Sequence, residues 1–363
     1  MAHKKLHPKY HLFIDLLTYL DRVLHPVFRR KIQRPKRIVL FRQDGIGDFI
    51  VSTPAFKTLR ENYKDATIDI YVSPLMENIA KQTGYFDNVY TFNLRYTYKE
   101  NISILSKLIN FSRTIREKKY YSFIKSLRMG KYDLAIDLVS KRTNILAARL
   151  AGIKQIIGFD FPGGSFLLTQ RYSKKHIHMS KNYLGIIDIL GVKKKYYKSS
   201  LGEYNIKNIK TNERKGIAIH IGAGELVEKY WYGWNELLNQ LSKHHKIILY
   251  GTNSDYEKKI YQTLNLKNKN IINKYGKLKL EEFIKDVNNI NLLICHDSGP
   301  MHIADCLGIK VIGIFGPASD PVMWGPTNKG YAIHIADIDK FKNRQETIDI
   351  VRKIMEKVDE YGL

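Results

Sequence analysis

Three short segments place polar or charged side chains directly after apolar runs. In the first, "RQDGIGDFIVSTPA" at residues 42–55, the apolar run "RIVLF" gives way to Gly45, Gly47 and then Asp48. Nucleotide-binding turns often begin in this way, but the third glycine of the dinucleotide fingerprint is missing, which argues against an NAD-dependent dehydrogenase. Asp48 by itself is also explained as the N-cap of the following helix.

The second segment, "HDSGPMHIADCLG", follows the apolar run "NLLIC". It places Ser298 and Gly299 at the start of a predicted helix that Gly308 ends. Backbone N–H groups and the positive end of the helix dipole are directed at this point, which suits a diphosphate. Considered alone, the turn is better explained as a well-capped helix, with Asp297 or Ser298 as the cap.

The third segment, "IAIHIGAGELVEKYWYGWNELL", ends a predicted strand in a turn that contains Gly222 and Ala223. The following loop carries Lys229, and Trp231 or Trp234 opens the next helix. A lysine in such a loop can meet a phosphate as a point charge. In a chain this rich in lysine, a solvated side chain is the simpler interpretation of Lys229 considered alone.

Apolar runs and helical periodicities alternate along most of the 363 residues. This alternation predicts two parallel-sheet α/β domains, in which ligands bind beyond the carboxyl ends of the strands, within a cleft where the domains face each other. We predict an amphipathic basic helix at residues 1–36, an N-terminal domain at 37–205 with an insertion near 99–129, and a C-terminal domain at 206–363 closed by a last helix.

Four segments, in order and suitably spaced, resemble the family 9 glycosyltransferases, the lipopolysaccharide heptosyltransferases and their relatives. They are "RIVLFRQDGIGDFIVSTPAFKTLR", "YDLAIDLVSKRTNILAARLAGIKQIIGFD", "HIGAGELVEKYW" and "HDSGPMHIADCLGIKVIGIFGPASDPVMWGP". The resemblance runs from about residue 37 to about residue 326. It implies the GT-B architecture, in which two Rossmann-like domains face each other across a cleft, and a reaction that inverts the anomeric carbon without a metal.

The resemblance also implies roles for individual residues. Asp48 corresponds to the proposed general base, projected by the turn of Gly45 and Gly47, and Lys229 to the lysine that steadies the departing nucleoside diphosphate. The residues that match nucleotide-sugar-binding positions are Gly222, Ala223, Asp297, Ser298, Gly299, Pro300 and His302. Asp255 or Glu257 is expected at a ribose hydroxyl. The pair Asp44-Gly45 departs from the small polar pair usual in the family.

The chain carries a formal net charge of +25, which favours polyanionic partners. Residues 1–37 contain ten basic and two acidic side chains around an apolar stripe. This pattern suits the inner face of a membrane with anionic lipid, and it equally suits a helix packed on the protein. We expect no spanning helix, no nucleic-acid partner, because no recognised motif is present, and reduced cysteines at Cys295 and Cys306.

These patterns together predict a cytoplasmic glycosyltransferase, peripheral to the membrane if the first helix binds lipid. Its expected donor is a nucleotide sugar, ADP-heptose above others, and its acceptor an anionic glycan or glycolipid of the lipopolysaccharide core. Alternatives are another nucleotide sugar, a different acceptor, or a non-catalytic scaffold that binds glycan or membrane. We expect no metal and no cofactor, and we interpret the sequence Asp337-Ile338-Asp339, which spells a metal-binding DxD, as a loop.

Overall fold

The computed structural model describes residues 33–92, 116–161, 165–206, 209–224, 230–328, 330–335, 337 and 343–363. The predicted basic helix, most of the predicted insertion and Lys229 therefore lie outside the described residues. Contacts divide the chain into two compact units. The first comprises the chain up to Gly45, Pro54–Lys175 and Ser180–Tyr197, and the second comprises Ile46–Thr53, His176–Met179 and Lys198–Leu363.

The first unit is built on a parallel six-stranded sheet. Its strands are β1 Arg37–Arg42, β2 Thr67–Val72, β3 Asn88–Thr91, β4 Leu134–Asp137, β5 Gln155–Phe159 and β6 Gln170–Tyr172. The helices in this half of the chain are α1 Ile46–Asn62, α2 Glu77–Gln82, α3 Lys118–Gly130, α4 Arg142–Leu150 and α5 Met179–Asp188, with 3-10 turns at Pro74–Met76 and Ser165–Leu167. The central strands β1 and β4 are almost wholly buried, as expected for a parallel sheet covered on both faces.

The second unit repeats this plan. Its strands are β7 Ile217–His220, β8 Ile247–Tyr250, β9 Ile271–Asn273, β10 Leu292–His296, β11 Lys310–Phe315 and β12 Gly330–His334. Its helices are α6 Trp234–Leu241, α7 Asp255–Tyr261, α8 Leu280–Val287, α9 Gly299–Cys306, α10 Pro321–Trp324 and α11 Arg344–Glu360, after a 3-10 turn at Thr211–Glu213. Trp234, not Trp231, opens helix α6.

The two sheets have the same strand order. The first runs β3-β2-β1-β4-β5-β6 and the second β12-β11-β10-β7-β8-β9, and every described pairing is parallel. This is the Rossmann order, and it confirms the predicted class of two Rossmann-like α/β domains. The order reverses between β1 and β4 and again between β7 and β10, so the carboxyl ends of these strands mark the switch points where such sheets bind ligands.

Helix α1 carries a proline in its interior and compensates for it locally. Pro54 has no N–H to donate to the carbonyl four residues earlier, and the hydroxyl of Thr53 donates instead to the carbonyl of Ile50 at 2.7 Å. One turn earlier, the hydroxyl of Ser52 donates to the carbonyl of Asp48 at 2.7 Å. The first two turns of α1 therefore keep their carbonyl groups satisfied despite the proline.

Among the described residues, no helix is both long enough and apolar enough to cross a membrane.

Candidate active site

Asp48 lies in the first turn of helix α1. The N-cap of this helix is Gly45, in extended conformation, so Asp48 is the third helical residue rather than the cap. Its side chain is half-buried. Residues 46–53 group with the second unit, so Asp48 belongs structurally with the nucleotide-binding segments recognised in the second half of the sequence.

The first turns of helices α1 and α9 meet through two glycines. A Cβ atom added to Gly47 would lie 2.5 Å from Cδ2 of His302, and one added to Gly299 would lie 2.9 Å from Cβ of Ile46. Real Cβ contacts are not this short, so both positions require glycine. Because the positive ends of two helix dipoles converge here, one residue from Asp48, the site favours negative charge.

The start of helix α9 is not capped by the side chain of its own serine. Ser298 occupies the N-cap position, but its hydroxyl donates backwards to the carbonyl of His296 at 3.2 Å and makes no capping bond to the helix. Pro300 lies within the first turn, where its missing N–H costs little. The geometry therefore favours the diphosphate interpretation of this turn over that of a serine-capped helix.

Asp297 and His302 lie buried at the base of this turn. The carboxylate of Asp297 accepts a hydrogen bond from the hydroxyl of Ser319 at 2.9 Å, and its other oxygen lies 3.9 Å from Nε2 of His302. The ring of His302 packs edge-on to Trp324 with centroids 6.2 Å apart. These contacts fix the imidazole against Gly47, and so they fix the place where the two helix starts meet.

The Gly222–Ala223 turn follows β7, the strand beside β10 at the switch point. A Cβ atom on Gly222 would lie 2.2 Å from a carboxylate oxygen of Glu257, which is buried and accepts from the hydroxyl of Thr252 at 2.8 Å. Burial raises the pKa of Glu257. Asp255, by contrast, is 95% exposed and lies 3.8 Å from Lys258. Of the two acids considered for the ribose, only Glu257 therefore contacts the phosphate-facing turn.

Tyrosines that sequence analysis did not single out surround Glu257. A Cβ atom on Gly251, just after β8, would lie 2.6 Å from Tyr275 and 2.9 Å from Glu257. Tyr275 stacks on Tyr261 with ring centroids 4.0 Å apart, and the hydroxyl of Tyr230 donates to the carbonyl of Gly224 at 2.8 Å. Tyr230 belongs to the hydrophobic core of the second unit, and Tyr261 and Tyr275 pack against that core. In the sequence, the motif "NKYG" at the end of a predicted strand marks the position of Tyr275.

Two histidines, His220 and His296, end the neighbouring strands β7 and β10. Nδ1 of His220 accepts the N–H of Gly222 at 3.1 Å, and Nε2 of His296 accepts the N–H of Trp231 at 2.9 Å. Each ring thereby holds the loop that follows β7. In the sequence, both histidines stand at the ends of apolar runs, "IAIH" and "LLICH". The hydrogen bonds that their rings accept depend on tertiary packing.

Acid pH is expected to destabilise the second unit through His220. Burial lowers its pKa to about 4, so as the pH falls from about 6.5 toward 4 the unfolded chain binds a proton that the folded chain does not. This linkage removes about 3 kcal/mol of stability over that window. Urea unfolding followed by tryptophan fluorescence measures it, because Trp231, Trp234 and Trp324 all lie in the second unit. The His220→Asn variant keeps an acceptor for Gly222 and should lose this pH dependence; an identical dependence in both proteins would contradict the assignment.

Some of the predicted positions lie outside the described residues. Lys229 lies outside them, as do Ile338 and Asp339, so the role of the lysine and the interpretation of the DxD sequence stay predictions. Across the described residues, histidine, cysteine and carboxylate side chains form no group of three that could hold a metal ion. Cys295 and Cys306 are not joined to each other, and burial raises the pKa of both thiols.

The groups collected near the second switch point are two glycine turns, two converging helix starts and a buried carboxylate. Converging helix starts favour an anionic ligand. Comparison with known proteins identifies the family to which this fold belongs. The family model described as glycosyltransferase family 9 (heptosyltransferase) matches residues 120–352. The chain therefore belongs to glycosyltransferase family 9, and it is a glycosyltransferase.

Three relatives of known sequence or structure illustrate the similarity. Lipooligosaccharide heptosyltransferase 2 of Campylobacter jejuni serotype O:2 is 26% identical over 282 residues, 75% of this chain and 78% of the relative. The structure of Escherichia coli ADP-heptose lipopolysaccharide heptosyltransferase II has a TM-score of 0.65 at 19% identity, covering 90% of this chain and 98% of that one. A family 9 glycosyltransferase from Veillonella parvula gives 0.70 at 17% identity, covering 92% and 98%. These structural likenesses confirm the GT-B class of fold.

Proposed function

We propose that the protein transfers a heptose from ADP-heptose to an anionic acceptor of the lipopolysaccharide core or a related glycan, with inversion and without a metal. The observation that carries this proposal is the contact of Gly47 with His302, which brings Asp48 next to the start of helix α9. Two of the relatives named above are heptosyltransferases, and the name of one of them includes ADP-heptose. The formal charge of +25 supports an anionic acceptor.

In the proposed reaction, Asp48 accepts the proton of an acceptor hydroxyl while that oxygen bonds to the anomeric carbon of the donor. The bond from the anomeric carbon to the diphosphate oxygen breaks, and its electron pair leaves with the diphosphate. The backbone N–H groups at the start of helix α9 stabilise this developing negative charge, and by the family resemblance Lys229 adds a cation. A single displacement of this kind inverts the anomeric centre.

Nucleotide binding measured by calorimetry tests the donor part of the proposal. The full chain is titrated with ADP, GDP, UDP and CDP, each with Mg²⁺ or with EDTA. We expect ADP to bind most tightly and equally well in EDTA. Glu257→Gln should weaken ADP binding about tenfold, because it removes a charged acceptor at the Gly222 turn, and Asp255→Asn on the same helix should behave as the parent.

Each of the opposite results would contradict a different part of the proposal. Binding that requires Mg²⁺ would contradict metal independence, and preference for another base would replace ADP-heptose as the donor. Equal losses in Glu257→Gln and Asp255→Asn would remove Glu257 from the nucleotide site. Failure of all four nucleotides to bind would favour a scaffold that has lost catalysis.

A further inference from the structure

An ion pair between a buried arginine and a half-buried aspartate lies at the carboxyl end of β1, immediately before the turn that leads to Asp48. Arg42, the last residue of the strand, is 1% exposed. Its Nε donates to one carboxylate oxygen of Asp44 at 2.7 Å, and its Nη2 donates to the other. This two-point, planar contact fixes the orientation of both side chains more strictly than a single ionic contact would.

The guanidinium of Arg42 is held from other directions as well. Its Nη1 donates to the carbonyl of Leu138, which follows β4, at 2.9 Å. Its Cζ lies 4.7 Å from the ring centroid of Tyr183 in helix α5, within the range of a cation–π contact. Arg42 is thus anchored to the next strand and to a helix of the first unit, and Asp44 is anchored through Arg42.

Lys141, the N-cap residue of helix α4, provides a second positive charge near Asp44. Burial lowers the pKa of Lys141, while the carboxylates of Asp44 and Asp137 oppose that shift. Ser140, just before it, has a φ of 62°, a conformation rarely adopted by residues other than glycine. The cluster therefore brings together two cations, Arg42 and Lys141, and two carboxylates, Asp44 and Asp137.

We propose that Asp44 is a positioning residue for Asp48, an inference that rests on the proposed role of Asp48 as the base. Only Gly45, Ile46 and Gly47 separate the two aspartates, and two of these three residues are glycines. Gly45 is the N-cap, outside the helix, and a glycine there leaves the backbone free to change its path unless the strand-side end is held. The contact of Asp44 with Arg42 holds the strand-side end, and so it sets the direction in which helix α1 begins and the place that Asp48 occupies.

Combining Asp44→Asn with Asp48→Ala tests this inference, because a residue that acts through Asp48 has little effect once Asp48 is absent. In the parent, Asp44→Asn should lower kcat about 10- to 100-fold, the scale expected for a misplaced catalytic group. The KM for the donor and the affinity for ADP should stay within about twofold, because a residue that acts by positioning the base affects the chemical step rather than donor binding. In the Asp48→Ala background, the same substitution should change the residual rate by less than about twofold.

Two further variants keep the test decisive. Asp160→Asn is the matched control, because Asp160 also follows a strand of the same sheet and pairs with an arginine, Arg171, at 3.4 Å; it should behave as the parent. If Asp44→Asn fails to fold, Arg42→Lys replaces it, since it keeps the charge but loses the two-point contact.

The outcomes separate this inference from the proposed function. An equal loss from Asp44→Asn in both backgrounds would overturn the positioning role and leave Asp48 as the base. A loss confined to the donor KM would also overturn it, because the effect would then be on nucleotide binding. If Asp48→Ala itself retained the parental rate, the proposed base and this inference would both be overturned.

Discussion

Replacing Asp48 by asparagine is expected to lower kcat about 1,000-fold while the affinity for ADP changes by less than about twofold. General-base catalysis contributes factors of this order, and asparagine keeps the size of the side chain but cannot accept the proton. The proposed nucleotide contacts are those of Gly222, Glu257 and helix α9, whereas the carboxylate of Asp48 is assigned to the proton transfer. Initial rates of ADP release, together with calorimetry on the same samples, measure both quantities.

A control for this substitution lies on the same helix. Glu61 is near the end of helix α1, where it lies 3.7 Å from Lys64 on the surface, and Glu61→Gln should leave both kcat and ADP affinity at the parental values. A decrease of less than tenfold in kcat for Asp48→Asn, or the same decrease in both variants, would show that Asp48 is not the base.

Replacing Gly47 by alanine is expected to lower the transfer rate by more than about 100-fold and to destabilise the second unit. The added Cβ would lie 2.5 Å from the buried ring of His302, which the neighbouring Asp297 and Trp324 leave little room to move. Insertion of one carbon into a packed interior costs about 1–3 kcal/mol, and here the displaced turn carries Asp48. Activity assays and urea unfolding followed by tryptophan fluorescence give the two effects separately.

A double-mutant cycle assigns the cause of this effect. His302→Ala removes the ring that obstructs the new Cβ, so the unfolding free energy lost by Gly47→Ala should be much smaller in the His302→Ala background than in the parent. Catalysis need not return, since His302 itself is expected at the nucleotide site. Additive losses in unfolding free energy would show that Gly47 and His302 do not form the contact on which the site is built.

The sequence predicted the layers of the fold well because parallel sheets leave a strong pattern. Fully buried strands such as "RIVLF" and "NLLICH" are continuous apolar runs, and each is followed by a turn and a helical periodicity. The short edge strand β6 was missed, because its three residues "QRY" are polar and half-buried and carry no such signal. Edge strands are defined by their partners more than by their own composition.

The sequence suggested candidate residues for the site, but it did not indicate which of them contact each other. The contact of Gly47 with His302 joins positions that are far apart in the chain, and no local pattern indicates it. Asp255 and Glu257 are indistinguishable as acids on one short helix, and only packing shows that the second is buried against Gly222. Serine is a residue type that favours the N-cap position, yet the hydroxyl of Ser298 donates to the carbonyl of His296, the last residue of strand β10.

The anomeric configuration of the transferred sugar tests the central claim most directly. The full chain is incubated in EDTA with ADP-heptose and a heptose-deficient core oligosaccharide, and the one-bond carbon–proton coupling at the anomeric centre is measured by NMR in donor and product. The proposed single displacement, with Asp48 as base and no metal, predicts a product whose anomeric configuration is opposite to that of the donor. A product that keeps the donor's configuration, or one that forms only when a divalent metal is restored, would contradict it.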